Sequence, residues 1–228
     1  MKKAYFNWSS GKDSAFALYK AMKSETYDVQ NLFTIIKKQG SKIAMHEIGI
    51  DLLKQQANAI GIPLTVLEFD LAASSDEYEK SIKTQMEKFK GEQINTALFG
   101  GLYLQDLRNR RIEKCKQQGI QAEFTLWNSK PDELLREFIS LGFKSIVTCV
   151  DGSVLDESFV GRVIDEAFLR DLPSGIDICG ENGEYHSFVF DGPIFHKPVK
   201  FEIIKRYYID YPNETNTQQN RYWYLELR

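Results

Sequence analysis

The chain has 228 residues, of which 43% are hydrophobic and 27% are charged, a composition that is ordinary for a globular protein and excludes an intrinsically disordered one. Its formal net charge of −3 excludes a global basic field, so we find no strong signal for nucleic acid or an anionic membrane as partner. Because the N-terminus lacks the features of a signal peptide and no stretch reaches transmembrane length, we expect a cytoplasmic protein without a membrane partner.

The first half of the chain alternates apolar strand patterns with helical patterns. The strands are predicted at residues 4–8, 32–36, 64–69, 96–99 and 122–126. The helices between them include one that opens at the run SSGKDS and one that begins at a capping box of Ser74 and Glu77. This alternation predicts an α/β fold, with a five-stranded parallel sheet that carries helices on both faces.

The pattern changes after Trp127. A helix is predicted to start at Ser129 and Pro131, followed by a strand at 145–150 and a helix at 156–170. Three further strands are predicted at 187–190, 201–209 and 222–227, with the polar stretch 213–220 as a hairpin loop. We therefore divide the chain into a nucleotide-binding domain of residues 1–127 and a smaller α+β domain of residues 128–228.

The run SSGKDS occupies residues 9–14, between the first strand and the first helix. The first N–H groups of a helix lack intrahelical partners and its dipole is positive there, so the run predicts a phosphate site. In such sheets ligands bind beyond the carboxyl ends of the strands, where this run lies. It is not a Walker A loop, because Asp13 follows Lys12 where that motif needs Ser or Thr. A helix that is merely capped by a serine is the alternative.

A second cluster, CGENGEYHSFVFDGP, spans residues 179–193. Glu181, Asn182, Glu184 and His186 fall close together between glycines, and the two carboxylates could be directed toward one centre. Carboxylates there could hold Mg²⁺, orient ammonia or relay protons. The alternative is a glycine-rich turn whose charges face water.

Other polar or reactive residues carry weaker signals. The three cysteines are isolated in sequence and predict buried thiols rather than a zinc site: Cys115, Cys149 and Cys179. Three arginines on the fourth helix are expected to form a solvated face, although they could bind phosphate: Arg108, Arg110 and Arg111.

Together the two clusters resemble the diphthine-ammonia ligase family, a branch of the N-type ATP pyrophosphatases whose PP-loop has the form SGGKDS. The more specific match is GENGEYHSFVFDGPIF at residues 180–195. It is supported by Met45-His46, by QANAIGIPL at residues 56–64 and by Leu126-Trp127, so the resemblance covers nearly the full length. The fold that it implies is HUP-like.

The resemblance also implies the roles of particular residues. The PP-loop, which binds ATP with Mg²⁺, would consist of Ser9, Ser10, Gly11, Lys12, Asp13 and Ser14, with Asp13 as a metal partner. The facing catalytic wall would be formed by Glu181, Asn182, Glu184 and His186. Ser10 replaces the usual loop glycine, and at a positive φ it would be strained by about 1 kcal/mol or more.

The implied reaction forms AMP: ATP activates a carboxylate as an acyl-adenylate, and ammonia then displaces AMP. The carboxylate would be diphthine on elongation factor 2 if the source makes diphthamide, and a different carboxylate otherwise. A PP-loop enzyme acting on tRNA or on a small-molecule carboxylate is one alternative, and a nucleotide-sensing module without turnover is another. The chain lacks a cysteine pair and a basic stripe, which disfavours tRNA thiolation. Whether the protein is a homo-oligomer is left open.

Overall fold

A computed structural model describes residues 1–40, 42–43, 47–70, 72, 74–212 and 219–228 of the chain. Met45 and His46 lie outside the described residues, and so do residues 213–218 of the predicted hairpin loop. Within the described ranges, no helix is long and apolar enough to cross a membrane.

The first half of the chain forms the predicted parallel sheet. Its strands are β1 (Lys2–Asn7), β2 (Tyr27–Lys37), β3 (Leu64–Phe69), β4 (Thr96–Phe99) and β5 (Gln121–Phe124). They are ordered β3-β2-β1-β4-β5 and every neighbouring pair is parallel. The strand order reverses between β1 and β4, and the carboxyl ends of these two strands are therefore where a ligand is expected.

Helices cover both faces of this sheet, as predicted. They are α1 (Lys12–Lys23), α2 (Ile50–Ile60), α3 (Ser75–Gly91) and α4 (Gln105–Gln117). Ala4 and Phe6 belong to the same buried cluster as α1 and α2, whereas Tyr5 packs in a second cluster with α3 and α4. This alternation is the period of two that a strand buried on both faces must show.

Local sequence signals account for several helix ends. The predicted capping box is present, since the Ser74 hydroxyl accepts from the Glu77 N–H at 3.3 Å and Glu77 Oε2 accepts from the Ser74 N–H at 2.8 Å. Gly61 ends α2 in the left-handed conformation, with a φ of 82° that glycine adopts without steric cost.

The second half of the chain forms a separate antiparallel sheet. Its elements are α5 (Pro131–Ser140), β6 (Lys144–Asp151), α6 (Glu166–Asp171), β7 (Tyr185–Asp191), β8 (Ile203–Pro212) and β9 (Gln219–Leu227). The strand order is β7-β6-β9-β8. The α/β class with a smaller α+β region after it is thereby confirmed.

The single helix predicted at residues 156–170 is wrong. A short 3₁₀ turn at Glu157–Phe159 is separated from α6 by Gly161, whose φ of 84° is left-handed. Val163 then pairs with Ile146 as an isolated β-bridge. Asp165 caps α6 by accepting from the Phe168 N–H at 2.8 Å, so the apolar spacing that suggested one helix belongs to two short elements.

The two sheets share the larger of the two hydrophobic clusters, which contains residues of β1 and α1 as well as of β6 and β7. Phe16 of α1 makes edge-to-face contacts with Phe138 of α5 and with Phe143, each at a centroid distance of 6.0 Å. The Val189 N–H of β7 donates to the Ser10 carbonyl at 3.0 Å. The second sheet therefore contacts the phosphate loop directly, and the domain boundary at residue 127 stays a prediction.

Candidate active site

The phosphate loop joins β1 to α1, and its first helical turn is not capped by a serine. Gly11 is the N-cap, in an extended conformation, and has no side chain with which to cap the helix. The Ser9 hydroxyl instead pairs with the Ser14 hydroxyl at 2.8 Å, and the Ser9 N–H donates to Ser14 Oγ at 3.1 Å. The loop therefore differs from the serine-capped helix that was the alternative interpretation.

Ser10 adopts the left-handed conformation that its glycine-like position suggested. Its φ is 71°, its side chain is fully buried, and its hydroxyl has no hydrogen-bond partner among the described residues. Its carbonyl accepts hydrogen bonds from the Val189 N–H and from Gln56 Nε2, at 3.0 and 3.1 Å. These contacts hold the serine in a conformation that costs free energy.

Lys12 is a buried cation rather than a solvent-facing one. Its side chain is 4% exposed, and its ammonium group pairs with Asp13 Oδ2 at 2.8 Å and donates to the Cys179 carbonyl. The Tyr185 ring centroid lies 4.9 Å from Lys12 Nζ. Burial has the largest single effect and alone would lower the pKa of Lys12, but Asp13, Tyr185 and Cys179 together outweigh it and the pKa is raised. The ammonium group is therefore permanently charged.

Asp13 has one carboxylate oxygen that is not used by Lys12. Asp13 Oδ1 is buried and has no partner in the described part of the chain, and the residue lines the cavity next to the loop. A single free carboxylate oxygen fits Mg²⁺, because this ion is usually bound by one or two carboxylates together with phosphates and water.

The loop opens into a cavity of about 400 Å³ at the carboxyl ends of the parallel strands. Residues 33–35 at the end of β2 line one side, and residues 100–101 and the first turns of α4 line the other. A further wall comes from residues 180–181 and 185–187 of the second sheet region. The cavity lies at the switch point, where the topology placed a ligand.

Gly100 allows β4 to approach the phosphate loop closely. A Cβ atom at this position would lie 3.0 Å from the Asp13 carbonyl oxygen and 3.2 Å from the Ser14 backbone nitrogen. At the adjacent Gly101, by contrast, a Cβ atom would first meet the Phe124 ring at 3.7 Å, an ordinary contact. Only the first of the two glycines is required by packing against the loop.

Glu181 faces the cavity from the second sheet region. Its Oε1 atom accepts a hydrogen bond from the Leu102 N–H at 3.0 Å, which fixes the carboxyl group beside the end of β4. Burial raises the pKa of Glu181 to about 7, and the Leu102 hydrogen bond offsets part of the effect. A carboxyl group that titrates near neutral pH can accept and return a proton during a reaction.

Glu184 and Asn182 do not line the cavity, contrary to the expectation that both glutamates converge on one centre. Glu184 is 9% exposed and accepts from the Asp177 N–H at 3.2 Å, the Asn182 N–H at 3.0 Å and Asn182 Nδ2 at 3.1 Å. The tight glycine-containing loop leaves backbone N–H groups that need hydrogen-bond acceptors, and the carboxylate oxygens of Glu184 are those acceptors. Its position is that of a loop-stabilising residue.

The other residues that the sequence predicted for the site lie around the same cavity, with the exception of Ser10. His186 and Ser187, on β7, line the cavity, and Ser187 Oγ accepts from the Lys12 N–H at 3.2 Å. Of the loop residues, Ser10 alone does not line the cavity, because it faces the packed interior. The structure thus places most of the phosphate loop, Glu181 and His186 around one space.

Two arginines that were expected to form a solvated face also line this cavity. Arg108 stacks on Trp127 and Phe124, with its guanidinium carbon 4.7 and 5.5 Å from the ring centroids, and Arg111 lies 5.5 Å from the Phe99 ring centroid. Arg110 and Arg111 are both exposed, but Arg110 does not line the cavity. The i,i+3 spacing of Arg108 and Arg111 just after the strand-end glycines is the signal that separates them from Arg110.

Comparison with known families agrees with this arrangement. The sequence profile described as the diphthamide synthase N-terminal domain matches residues 1–122, and the profile of the C-terminal domain matches residues 130–221. This chain belongs to the diphthamide synthase family. The resemblance inferred from SSGKDS and GENGEYHSFVFDGPIF is thereby confirmed.

Curated relatives of this family are named diphthine–ammonia ligase. The human protein is 34% identical over 130 residues, which are 54% of this chain and 47% of that protein. The Schizosaccharomyces pombe protein is 24% identical over 210 residues, which are 84% of this chain and 34% of that protein. The chain therefore matches about half or less of the length of these relatives.

Solved structures give more distant similarities. A predicted subunit of tRNA methyltransferase from Methanocaldococcus jannaschii is 19% identical, with a TM-score of 0.42 over 64% of this chain and 80% of that one. The U34-tRNA thiolase NcsA from Methanococcus maripaludis is 17% identical, with a TM-score of 0.37 over 61% of this chain and 58% of that one. Similarities this low carry no argument about function.

Proposed function

We propose that this chain is an ATP-dependent ligase that adenylates a carboxylate and transfers ammonia to it, releasing AMP and pyrophosphate. One observation carries the proposal: the N-terminus of α1 and the Glu181 carboxyl group open into the same cavity of about 400 Å³. This volume lies in the range of pockets that hold small molecules and cofactors. The curated name of the relatives supplies the class of reaction.

Nucleotide binding is supported by the chemistry of the loop. The N–H groups at the start of α1 and the helix dipole favour phosphate, and Asp13 Oδ1 is available for Mg²⁺. On the β2 side, Phe33, Ile35 and Ile43 offer apolar surface to a purine. We therefore place the phosphates at residues 9–14 and the base beside β2.

The proposed reaction has two steps. A carboxylate oxygen of the acceptor attacks the α-phosphorus of ATP, the bond between the α-phosphorus and the bridging oxygen breaks, and pyrophosphate leaves. The nitrogen of ammonia then attacks the acyl carbon, AMP leaves, and one proton is released as the amide forms. N–H groups of the loop would stabilise the charge that develops on the departing pyrophosphate.

Glu181 is the proposed acceptor of the proton that the second step releases. With its pKa raised to about 7, its carboxylate is populated near neutral pH yet is basic enough to take a proton. The Leu102 N–H holds it in place at 3.0 Å. His186 lines the same cavity and is the second candidate for contact with the acceptor.

The acceptor is a carboxylate. It is diphthine on elongation factor 2 if the source makes diphthamide, and a different carboxylate otherwise, with ammonia as the nitrogen donor in both cases. The names of the relatives support diphthine as the first acceptor to be tried.

Chromatography of the nucleotide products tests the proposal. The chain is incubated with ATP, Mg²⁺, ammonium and candidate carboxylates, and we expect AMP and pyrophosphate. Glu181→Gln should lower kcat while ATP affinity is retained, because the proposed contact is made in the transition state. Glu113→Gln, an exposed glutamate on α4, is the control. ADP and phosphate as products would refute attack on the α-phosphorus.

A further inference from the structure

The two sides of the cavity differ in chemistry. The β2 side presents Phe33, Ile35 and Ile43, which are apolar. The opposite side, beyond β4 and β5, presents Arg108 and Arg111 above aromatic rings. The phosphate loop after β1 lies between these two sides, because β1 lies between β2 and β4 in the sheet.

Arg108 is held in position by an aromatic ring. Its guanidinium group stacks on the Trp127 ring at 4.7 Å, which restricts where the side chain can lie. Its Nε atom is buried and has no hydrogen-bond partner in the ranges that the structure describes. A buried N–H group without a partner is costly, so a small shift of the guanidinium group toward an acceptor on a bound molecule would be favourable.

Arg111 adds a second positive charge on the same face of α4. It lies three residues after Arg108, one turn along the helix, and its guanidinium carbon is 5.5 Å from the Phe99 ring centroid. Among the described residues, no carboxylate forms an ion pair with either arginine. The side beyond β4 is therefore a cationic surface within the cavity.

We propose that Arg108 and Arg111 bind the acceptor carboxylate, on the side of the phosphate loop opposite the base of the nucleotide. The N–H groups of a guanidinium group match the two oxygens of a carboxylate. The phosphates of the nucleotide, by contrast, already have the N–H groups of the loop as hydrogen-bond donors. This inference rests on the proposed function, and it names the residues that select a carboxylate-bearing acceptor.

The placement also addresses a physical difficulty of the first step. An acceptor carboxylate and the α-phosphate are both anions, and bringing them within bonding distance in a partly dehydrated cavity is repulsive. Two guanidinium groups beside the acceptor offset this repulsion without contacting the leaving pyrophosphate. Arg108 and Arg111 thus orient one reactant, while Lys12 and Asp13 belong to the other side of the reaction.

The test compares Arg108→Gln and Arg108→Lys with the control Arg110→Gln. Arg110 is on the same helix but is exposed, and its Nε donates to the Asp106 carbonyl at 3.3 Å. ATP affinity is measured by calorimetry. Succinate, used as the carboxylate probe, is then titrated into the ATP-saturated protein, and its binding is also measured by calorimetry.

We expect Arg108→Gln to weaken succinate binding about tenfold or more, the loss of a charge-assisted hydrogen bond, with ATP affinity little changed. Arg108→Lys should recover only part of the loss, and Arg110→Gln should match the unmodified chain. A tenfold loss of ATP affinity in Arg108→Gln would overturn the inference by placing the arginine on phosphate. Unchanged succinate binding in Arg108→Gln, or no succinate response in the unmodified chain, would also overturn it. Succinate binding without any ATP binding would instead defeat the proposed function and keep the carboxylate subsite.

Discussion

The ammonium group of Lys12 donates a hydrogen bond to the backbone carbonyl of Cys179, so the phosphate loop of the first sheet is tied to the loop that precedes β7 in the second. The same ammonium group pairs with Asp13 at 2.8 Å and lies over the Tyr185 ring. Lys12 therefore connects the two halves of the cleft as well as placing a positive charge at the cavity.

Replacement of Lys12 by alanine should destabilise the protein as well as impair ATP binding. The change leaves the Asp13 carboxylate without its cation and the Cys179 carbonyl without its donor in a buried setting. Because the Asp13 side chain is 28% exposed, we expect a loss below the about 3–5 kcal/mol that breaking a fully buried ion pair costs. Urea unfolding measures the loss, and Lys23→Ala, an exposed position on the same helix, should change the free energy of unfolding by less than about 0.5 kcal/mol. Full stability in Lys12→Ala would contradict the tie between the two sheets.

Ser10→Gly should stabilise the protein. Glycine adopts a φ of 71° without the steric cost that serine carries, and the change removes a buried hydroxyl that has no partner among the described residues. The larger entropy of glycine in the unfolded chain cancels about 0.5–1 kcal/mol of this stabilisation. We therefore expect the free energy of unfolding to rise by about 1 kcal/mol. Calorimetric unfolding checks it.

Ser10→Ala separates the two contributions, because it removes the hydroxyl but keeps a Cβ atom at positive φ. It should gain less stability than Ser10→Gly. A loss of ATP affinity in Ser10→Gly would mean that the hydroxyl contacts the nucleotide, against its position outside the cavity lining.

Gly100→Ala and Gly101→Ala form a matched pair that tests the position of the phosphate loop. The Cβ atom that the first change adds would lie 3.0 Å from the Asp13 carbonyl oxygen, so the start of α1 must shift. We expect ATP affinity to fall about tenfold or more in Gly100→Ala, because displacement of the N–H groups weakens phosphate binding. Gly101→Ala, with its nearest contact at 3.7 Å, should retain ATP affinity. Equal effects of the two changes on ATP affinity, measured by calorimetry, would argue against the close approach of β4 to the loop.

Much of the fold could be predicted from the sequence because its strands are buried on both faces. A short apolar run predicted the fully buried β4 with the bounds that the structure shows, Thr96–Phe99. The bounds of the edge strand β3, Leu64–Phe69, were also predicted, although this strand is only partly buried. The helix predicted at 156–170 failed because Gly161 takes a left-handed conformation that ends one element before the next begins.

The sequence predicted which residues lie near the site, but it did not predict which of their side chains face the cavity. Sequence spacing grouped Glu181 with Glu184, but it could not tell that Glu184 satisfies backbone N–H groups of its own loop. Likewise a helical pattern shows that Arg108 and Arg110 point in different directions, but not which of them meets a cavity. Both questions depend on contacts between segments that are distant in sequence.

Ionisation of Glu181 should make kcat rise with pH and should make the free energy of unfolding fall with pH. Because its pKa is raised from 4.5 to about 7 in the folded state, folding is favoured while the group is protonated, and that contribution is lost as pH rises from 4.5 through 7. The carboxylate that accepts a proton in the reaction forms over the upper part of the same range, so kcat should rise with pH through about 7.

Glu181→Gln should remove both dependences. The amide oxygen can still accept from the Leu102 N–H, but nothing ionises, so the variant should be more stable than the unmodified chain above pH 7 and equal to it in acid. Melting temperatures across the pH range, with Glu113→Gln as control, measure the difference. A difference in melting temperature that did not grow with pH would show that Glu181 is not held in a dehydrated position.

Exchange of labelled pyrophosphate into ATP tests the central claim most directly, because it reports reversible adenylation before ammonia enters. The chain is incubated with ATP, Mg²⁺, labelled pyrophosphate and an acceptor carboxylate, without ammonium. The account predicts label in ATP that depends on the acceptor. At subsaturating ATP the exchange should be reduced in Gly100→Ala, and it should persist in Glu181→Gln, since that residue acts in the second step. Exchange of labelled ADP into ATP, with no exchange of pyrophosphate for any carboxylate, would contradict it.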